Sequence, residues 1–250
     1  MPLDAKPYLR KVALLRDTIS DFDEFPFCLP IVRSLHEIGF HPDVTFFVGE
    51  NGCGKSTLVE AIAALLKFNP EGGTKNSLFS TEATHTSLHR HLRPTKSFKR
   101  PRDGYFLRAE SFYNLASYMD TTGYLKEYGG KSLHRQSHGE SFMAVLSNKL
   151  KGDGLYILDE PEAALSPTRQ LQALACIHDL VERNSQFIIA THSPILLAYP
   201  RARIYEFHDD RLLLSATRKC GCIGFALSRR SGWNGDRVDR RRVSANQLRD

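Results

Sequence analysis

The chain has 250 residues, 41% apolar and 25% charged, enough for one large domain or two small ones with a substantial core. No apolar run reaches the length of a membrane span, the N-terminus is too polar for a secretory signal, and five cysteines in no framework spacing exclude a disulfide scaffold and predict a reducing cytoplasm. The formal charge of +6 lies entirely in residues 201–250, which hold 11 Arg and 1 Lys against 6 acidic residues, so the body gives no general electrostatic case for nucleic acid.

In chain order, the first clear element is "VTFFV" (Val44–Val48), an apolar run of β-branched and aromatic residues that predicts a buried strand. It runs into "GENGCGKS" (Gly49–Ser56), which satisfies G-x-x-x-x-G-K-[ST] between a strand and a helix. Gly49, Glu50, Asn51, Gly52, Cys53, Gly54, Lys55, Ser56 and Thr57 are the predicted phosphate cradle. Glycines let backbone N–H groups curl round a β-phosphate, the helix N-terminus adds partial positive charge, Lys55 would reach the β- and γ-phosphates, and Ser56 would ligate Mg²⁺. The helix "STLVEAIAALLKF" follows, with Leu58, Ile62 and Leu65 at helical spacing and a stop at Asn69-Pro70.

Residues 70–105 read as a long exposed excursion. His85, His89 and His91 read as surface rather than metal ligands. The basic run from Arg90 to Arg102 reads as a solvated face, with a nucleic-acid contact as the alternative. Residues 111–150 are predicted as a mainly helical subdomain, interrupted near Gly129-Gly130 and containing the polar run "QSHGESF".

"GLYILDE" (Gly154–Glu160) predicts a buried strand ending in two carboxylates. Asp159 is placed to hold Mg²⁺, and Glu160, one residue on, to orient or deprotonate a water. "SPTRQLQALACIHDLVER" predicts a helix started by Pro167, with Leu171, Leu174, Ile177 and Leu180 at helical offsets. "QFIIATHS" predicts a third buried strand ending at Thr191, His192 and Ser193. Strands alternating with helices imply a mostly parallel α/β sheet whose ligands gather at the carboxyl ends of its strands, where all three polar clusters fall. After "RIYEF" the periodicity is lost and arginine is enriched, so the predicted domain is 1–213 and residues 214–250 an atypical tail, either poorly ordered or a basic arm. Cys220 and Cys222 are too few ligands for a metal site.

The ordered set "GENGCGKST", "SHGES", "LYILDEPEAALS" and "IIATHS", within residues 10–207, resembles the ABC-type ATPase family, most closely its soluble, non-transporter AAA-like and SMC/RecF-like members. The resemblance implies a P-loop NTPase of ABC-ATPase type: a mostly parallel sheet flanked by helices with a helical subdomain, using ATP and Mg²⁺. It implies Glu160 as catalytic glutamate, His192 as switch histidine, and Ala164, Leu165 and Ser166 as the loop that communicates across a dimer. Ser137, Gly139 and Glu140 look like the signature that contacts the γ-phosphate of a partner's ATP, and so imply an ATP-sandwiched, head-to-tail homodimer. One departure stands out: where the family places a glutamine at a strand end, "YFLRAESF" offers Arg108 and Glu110. The work driven by ATP is left open between a nucleic-acid transaction, a separately encoded protein partner and a transporter subunit.

Overall fold

The computed structural model describes residues 6–69, 72–73, 86–110, 137–208 and 212–217. The main sheet is built from β3 (Val44–Gly49), β5 (Asp103–Arg108), β6 (Gly154–Asp159), β7 (Gln186–Ala190), β8 (Ala202–Phe207) and β9 (Leu212–Thr217). Its order is β5-β6-β7-β3-β8-β9; the first five strands are mutually parallel and β9 is antiparallel to β8. Every residue of β6 and β7 is buried, as the unbroken apolar runs require of strands covered on both faces.

Period-two alternation divides the core between those faces. Phe47, Phe106, Ile157, Ile188 and Phe207 meet α2 (Lys55–Leu65) through Leu58, Val59 and Ile62. The same core takes in a small antiparallel sheet, ordered β2-β1-β4, made from β1 (Leu9–Leu14), β2 (Glu37–Gly39) and β4 (Leu92–Lys96). On the opposite face Phe46, Leu107, Tyr156, Leu158 and Ile189 meet two further helices. After the short α1 (Pro30–Ser34) and α2, these are α3 (His138–Ala144) and α4 (Pro167–Glu182).

The helix starts follow local chemistry. Pro167 opens α4 after Ser166, whose hydroxyl accepts from the Arg169 N–H, and α3 begins with a reciprocal capping box between Ser137 and Glu140. The buried stripe of α4 is Gln170, Ala173, Ile177, Leu180 and Val181, whereas Leu171 is 59% exposed. Successive residues turn by about 100°, so Leu171 falls off the face that Gln170 and Ala173 define.

Two regions differ from the sequence-based expectation. The excursion predicted over 70–105 contains β4 and the start of β5; β4 was hidden because it buries Leu92 alone and exposes Arg93, Thr95 and Lys96, with Pro94 tolerated on an edge strand. Strand β9 continues to Thr217, past the boundary drawn at residue 213. Residues 111–136 of the expected helical subdomain, His85, Cys220, Cys222 and the tail from 218 onward lie outside the described residues. Beyond α3, a π-helical turn at Val145–Lys149 leads towards β6. No helix among the described residues is long and apolar enough to cross a membrane.

Candidate nucleotide site

Strand register aligns the site. Arg108 at the end of β5 pairs with Asp159 at the end of β6, Asp159 with Ala190 of β7, and Ala190 with Phe47 of β3. The loops leaving these strands therefore open on one edge of the sheet, at its carboxyl end.

Between β3 and α2 the loop is shaped by Gly52 (φ 80°) and Gly54 (φ 94°), both in the left-handed region. A Cβ on Gly54 would also meet Ile31 Cγ2 at 2.9 Å. Lys55 is 3% exposed; its ammonium donates to the carbonyl oxygens of Gly49 and Glu50, both at 2.9 Å, and lies 3.8 Å from Cys53 Sγ. Ser56 Oγ donates to Asp159 Oδ1 at 3.2 Å, joining the loop to the end of β6. Burial pushes the Asp159 carboxyl up to about 6, against the opposing pull of Arg108 and the Ser56 hydrogen bond.

Glu160 turns left-handed (φ 50°, ψ 51°), an uncommon conformation for a residue with a side chain, and its N–H is fixed by the Ala190 carbonyl at 3.0 Å. That turn redirects its carboxylate from the strand end into the cleft, with Oε1 at 3.5 Å from His192 Nε2. Glu162, two residues on, holds the other side of the arrangement: its carboxylate accepts from the Thr191 hydroxyl at 2.8 Å and from the His192 backbone N–H.

The resulting open cleft has a volume of about 340 Å³. Asn51, Gly52 and the run Gly54 to Thr57 line it, with Glu110 and Glu160 across from them and the apolar side chains of Phe25 and Leu29 at its border. Phe25 is 67% exposed at the rim of the cleft. Of the predicted site residues, Asn51, Gly52, Gly54 to Thr57 and Glu160 line the cleft; Gly49, Glu50 and Cys53 lie in the same loop behind it, and Asp159 and His192 adjoin it through Ser56 and Glu160. Ser137, Gly139 and Glu140 do not line the cleft; they stand at the start of α3, where Arg169 of α4 donates to Ser137 Oγ and Glu140 Oε1, both at 3.1 Å. The capping-box bonds from Ser137, aided by Arg169, hold the Glu140 carboxyl below the usual range. His89 and His91 are engaged elsewhere, with the Thr86 carbonyl at 2.9 Å and the Thr18 hydroxyl at 2.7 Å.

Sequence reading missed Phe25, Glu162 and Glu60, the last of which accepts from Arg108 Nη1 at 3.1 Å. Glu162 stood two residues after Glu160 in "DEPE", but the partners that give it a role lie about thirty residues away. Phe25 carried no local signal at all.

A glycine-rich loop between strand and helix, a carboxylate pair after a second strand and a histidine after a third, all at the same end of the parallel strands, make a P-loop α/β fold with a candidate nucleotide cleft. Two family models match the chain: "AAA domain" over residues 20–119, and "AAA domain, putative AbiEii toxin, Type IV TA system" over residues 141–198. Among curated relatives, the petrobactin import ATP-binding protein FpuD of Bacillus anthracis is 26% identical over 177 residues, 62% of this chain and 64% of that protein. The energy-coupling factor transporter ATP-binding protein EcfA2 of Staphylococcus epidermidis is 27% identical over 169 residues, 58% of each chain. The chain thus spans less than two thirds of the length of these relatives. Among solved structures, the SMC head domain from Thermotoga maritima aligns with a TM-score of 0.45 and 14% identity, over 84% of this chain and 99% of that one.

Proposed function

We propose that the chain binds ATP with Mg²⁺ and hydrolyses it to ADP and phosphate, and that two copies act head to tail around two nucleotides. Lys55, Ser56 and Glu160 at one cleft, with Asp159 hydrogen-bonded to Ser56 and His192 beside Glu160, carry this reading. Loop N–H groups and the Lys55 ammonium would hold the phosphates. Ser56 Oγ and the Asp159 carboxylate, 3.2 Å apart, are the hard oxygen donors that a small divalent cation prefers, so the donor set fits Mg²⁺. Bound there, Mg²⁺ would neutralise charge on the β- and γ-phosphates.

In the proposed reaction Glu160 takes a proton from water as the water oxygen attacks the γ-phosphorus. The bond to the bridging oxygen breaks, and that electron pair leaves with ADP. His192, 3.5 Å from Glu160, orients the carboxylate, and Glu162 fixes the histidine's backbone. Most of the rate enhancement would come from preorganised charge rather than from covalent chemistry.

The test pairs nucleotide binding with phosphate release. Lys55→Ala is expected to lose nucleotide affinity. Glu160→Gln is expected to bind ATP as the parent does and to turn over at least about 100-fold more slowly, the low end of general-base contributions. Normal turnover by Glu160→Gln would overturn its role.

A second reading, an ATP-binding subunit of a transporter, is favoured by the names of the two curated relatives. A third, a nucleic-acid transaction, is favoured by the exposed side chains of Arg93 and Lys96 on β4. Phosphate release stimulated by duplex DNA and falling steeply with salt would select the nucleic-acid reading. A rate unmoved by DNA would leave a protein partner, of transport type or other.

A further inference from the structure

Arg108 stands at the strand end where the family resemblance leads one to expect glutamine. Its guanidinium spans carboxylates from three parts of the fold: Nη1 lies 3.1 Å from Glu60 of α2, Nη2 3.1 Å from Glu110, and Nε 3.5 Å from Asp159 Oδ2. The three contacts are unequal. The contact to Glu60 is a hydrogen bond, whereas the buried Nε–H makes none, so the longest contact, to Asp159, is held by charge alone. Exposure differs as well: Asp159, with the longest contact, is 4% exposed, Glu60 13% and Glu110 76%. Asp159 offers its other oxygen, Oδ1, to Ser56.

We propose that Arg108 is a displaceable counter-ion of Asp159, a positioning residue that a divalent cation arriving at Asp159 and Ser56 pushes back onto Glu60 and Glu110. The inference rests on the nucleotide reading above. A guanidinium and a divalent cation on the two oxygens of one buried carboxylate lie within a few ångströms of each other and repel strongly in a poorly screened site. The undirected Asp159 contact is the one that yields. Glu60 and Glu110 keep the guanidinium neutralised when it moves, so the retreat leaves no buried charge unpaired. Glu110 lines the cleft, so a tighter Arg108–Glu110 pair would couple cation occupancy to the cleft wall. The coupling is reciprocal: whatever strengthens that pair also favours the cation.

The experiment measures the Kd of a non-hydrolysable ATP analogue on the full chain at pH 8.5, in EDTA and in Mg²⁺, and reads the ratio of the two. Arg108→Gln removes the competing charge, and the ratio is expected to rise about tenfold. Glu110→Gln removes the retreat partner, and the ratio is expected to fall about threefold. Arg108→Lys keeps the charge and is expected to stay near the parent. A guanidinium that merely held Asp159 in place would give the opposite sign for Arg108→Gln. A ratio that falls or stays put in that variant, with nucleotide still bound, overturns the inference alone. A parent chain that binds no nucleotide in either condition overturns the nucleotide reading together with it. Should Arg108→Gln not fold, Glu110→Gln decides, because it changes a mostly exposed side chain; an unmoved ratio there overturns the proposal.

Discussion

Asp159 combines two roles that oppose each other in the folded chain. It is buried at the carboxyl end of β6, and the proposed cation site would need it ionised. Burial wins over Arg108 and Ser56 by enough to raise its carboxyl to about 6, so the folded state prefers the neutral acid. The contribution has a definite sign. A carboxyl raised in the folded state stabilises the fold below its unfolded value near 3.8, and that stabilisation is lost as pH rises through about 6. The difference corresponds to about 3 kcal/mol. Asp159→Asn, which cannot ionise, is therefore expected to gain stability relative to the parent by about that amount between pH 4 and pH 7, read from urea denaturation midpoints without nucleotide. A pH-independent difference between the two proteins would overturn this account.

The elements that frame the cleft are joined by contacts close enough to constrain substitution. Gly139, in the first turn of α3, lies against the turn after β6: a Cβ there would meet the Ala164 carbonyl oxygen at 2.8 Å and Arg169 Cδ at 3.1 Å. The arginine side chain has room to move, but the carbonyl belongs to the backbone turn following Glu160. Gly139→Ala is thus an overpacking change, expected to cost about 1–3 kcal/mol. Calorimetry should show a lowered unfolding temperature while the phosphate loop's nucleotide affinity is unchanged; an unaltered unfolding temperature would mean that α3 and the turn are not tightly coupled. At this scale the sequence was legible where one short stretch held both the element and its chemistry, as with Gly49 to Ser56 or Asp159-Glu160. It was not legible where function needs partners brought together by the fold. Arg108 meets Glu60 forty-eight residues away and Glu162 meets His192 thirty residues away, separations over which no spacing rule operates. The small antiparallel sheet was hidden for a related reason: β1 interleaves Arg10 and Lys11 with Leu9 and Val12, and β4 buries one side chain of five. At β1 the apolar run is only Val12 to Leu15, broken from Leu9 by the two basic residues, and β4 has no apolar run at all.

Across the whole molecule, the proposed chemistry is divided between places that one copy does not unite. The cleft has a phosphate loop, a carboxylate pair and a histidine, while the serine, glycine and glutamate of "SHGES" stand at the start of α3 and do not line it. In the proposed head-to-tail pair each α3 start would face the other copy's cleft, and two-fold symmetry would close both contacts at once. Nucleotide held between the copies would then be part of the interface, and slowing its hydrolysis should trap the pair. Glu160→Gln is therefore expected to sediment as a dimer with ATP and as a monomer without it. Adding Ser137→Arg, which places a bulky cation where the opposing phosphate would approach, should return that variant to monomer while leaving each cleft able to bind nucleotide. In the parent, phosphate release per chain should rise with protein concentration until pairing saturates. A rate per chain independent of concentration, from a species that sediments as a monomer throughout, would overturn the pairing and leave Ser137 and Glu140 as no more than a helix cap.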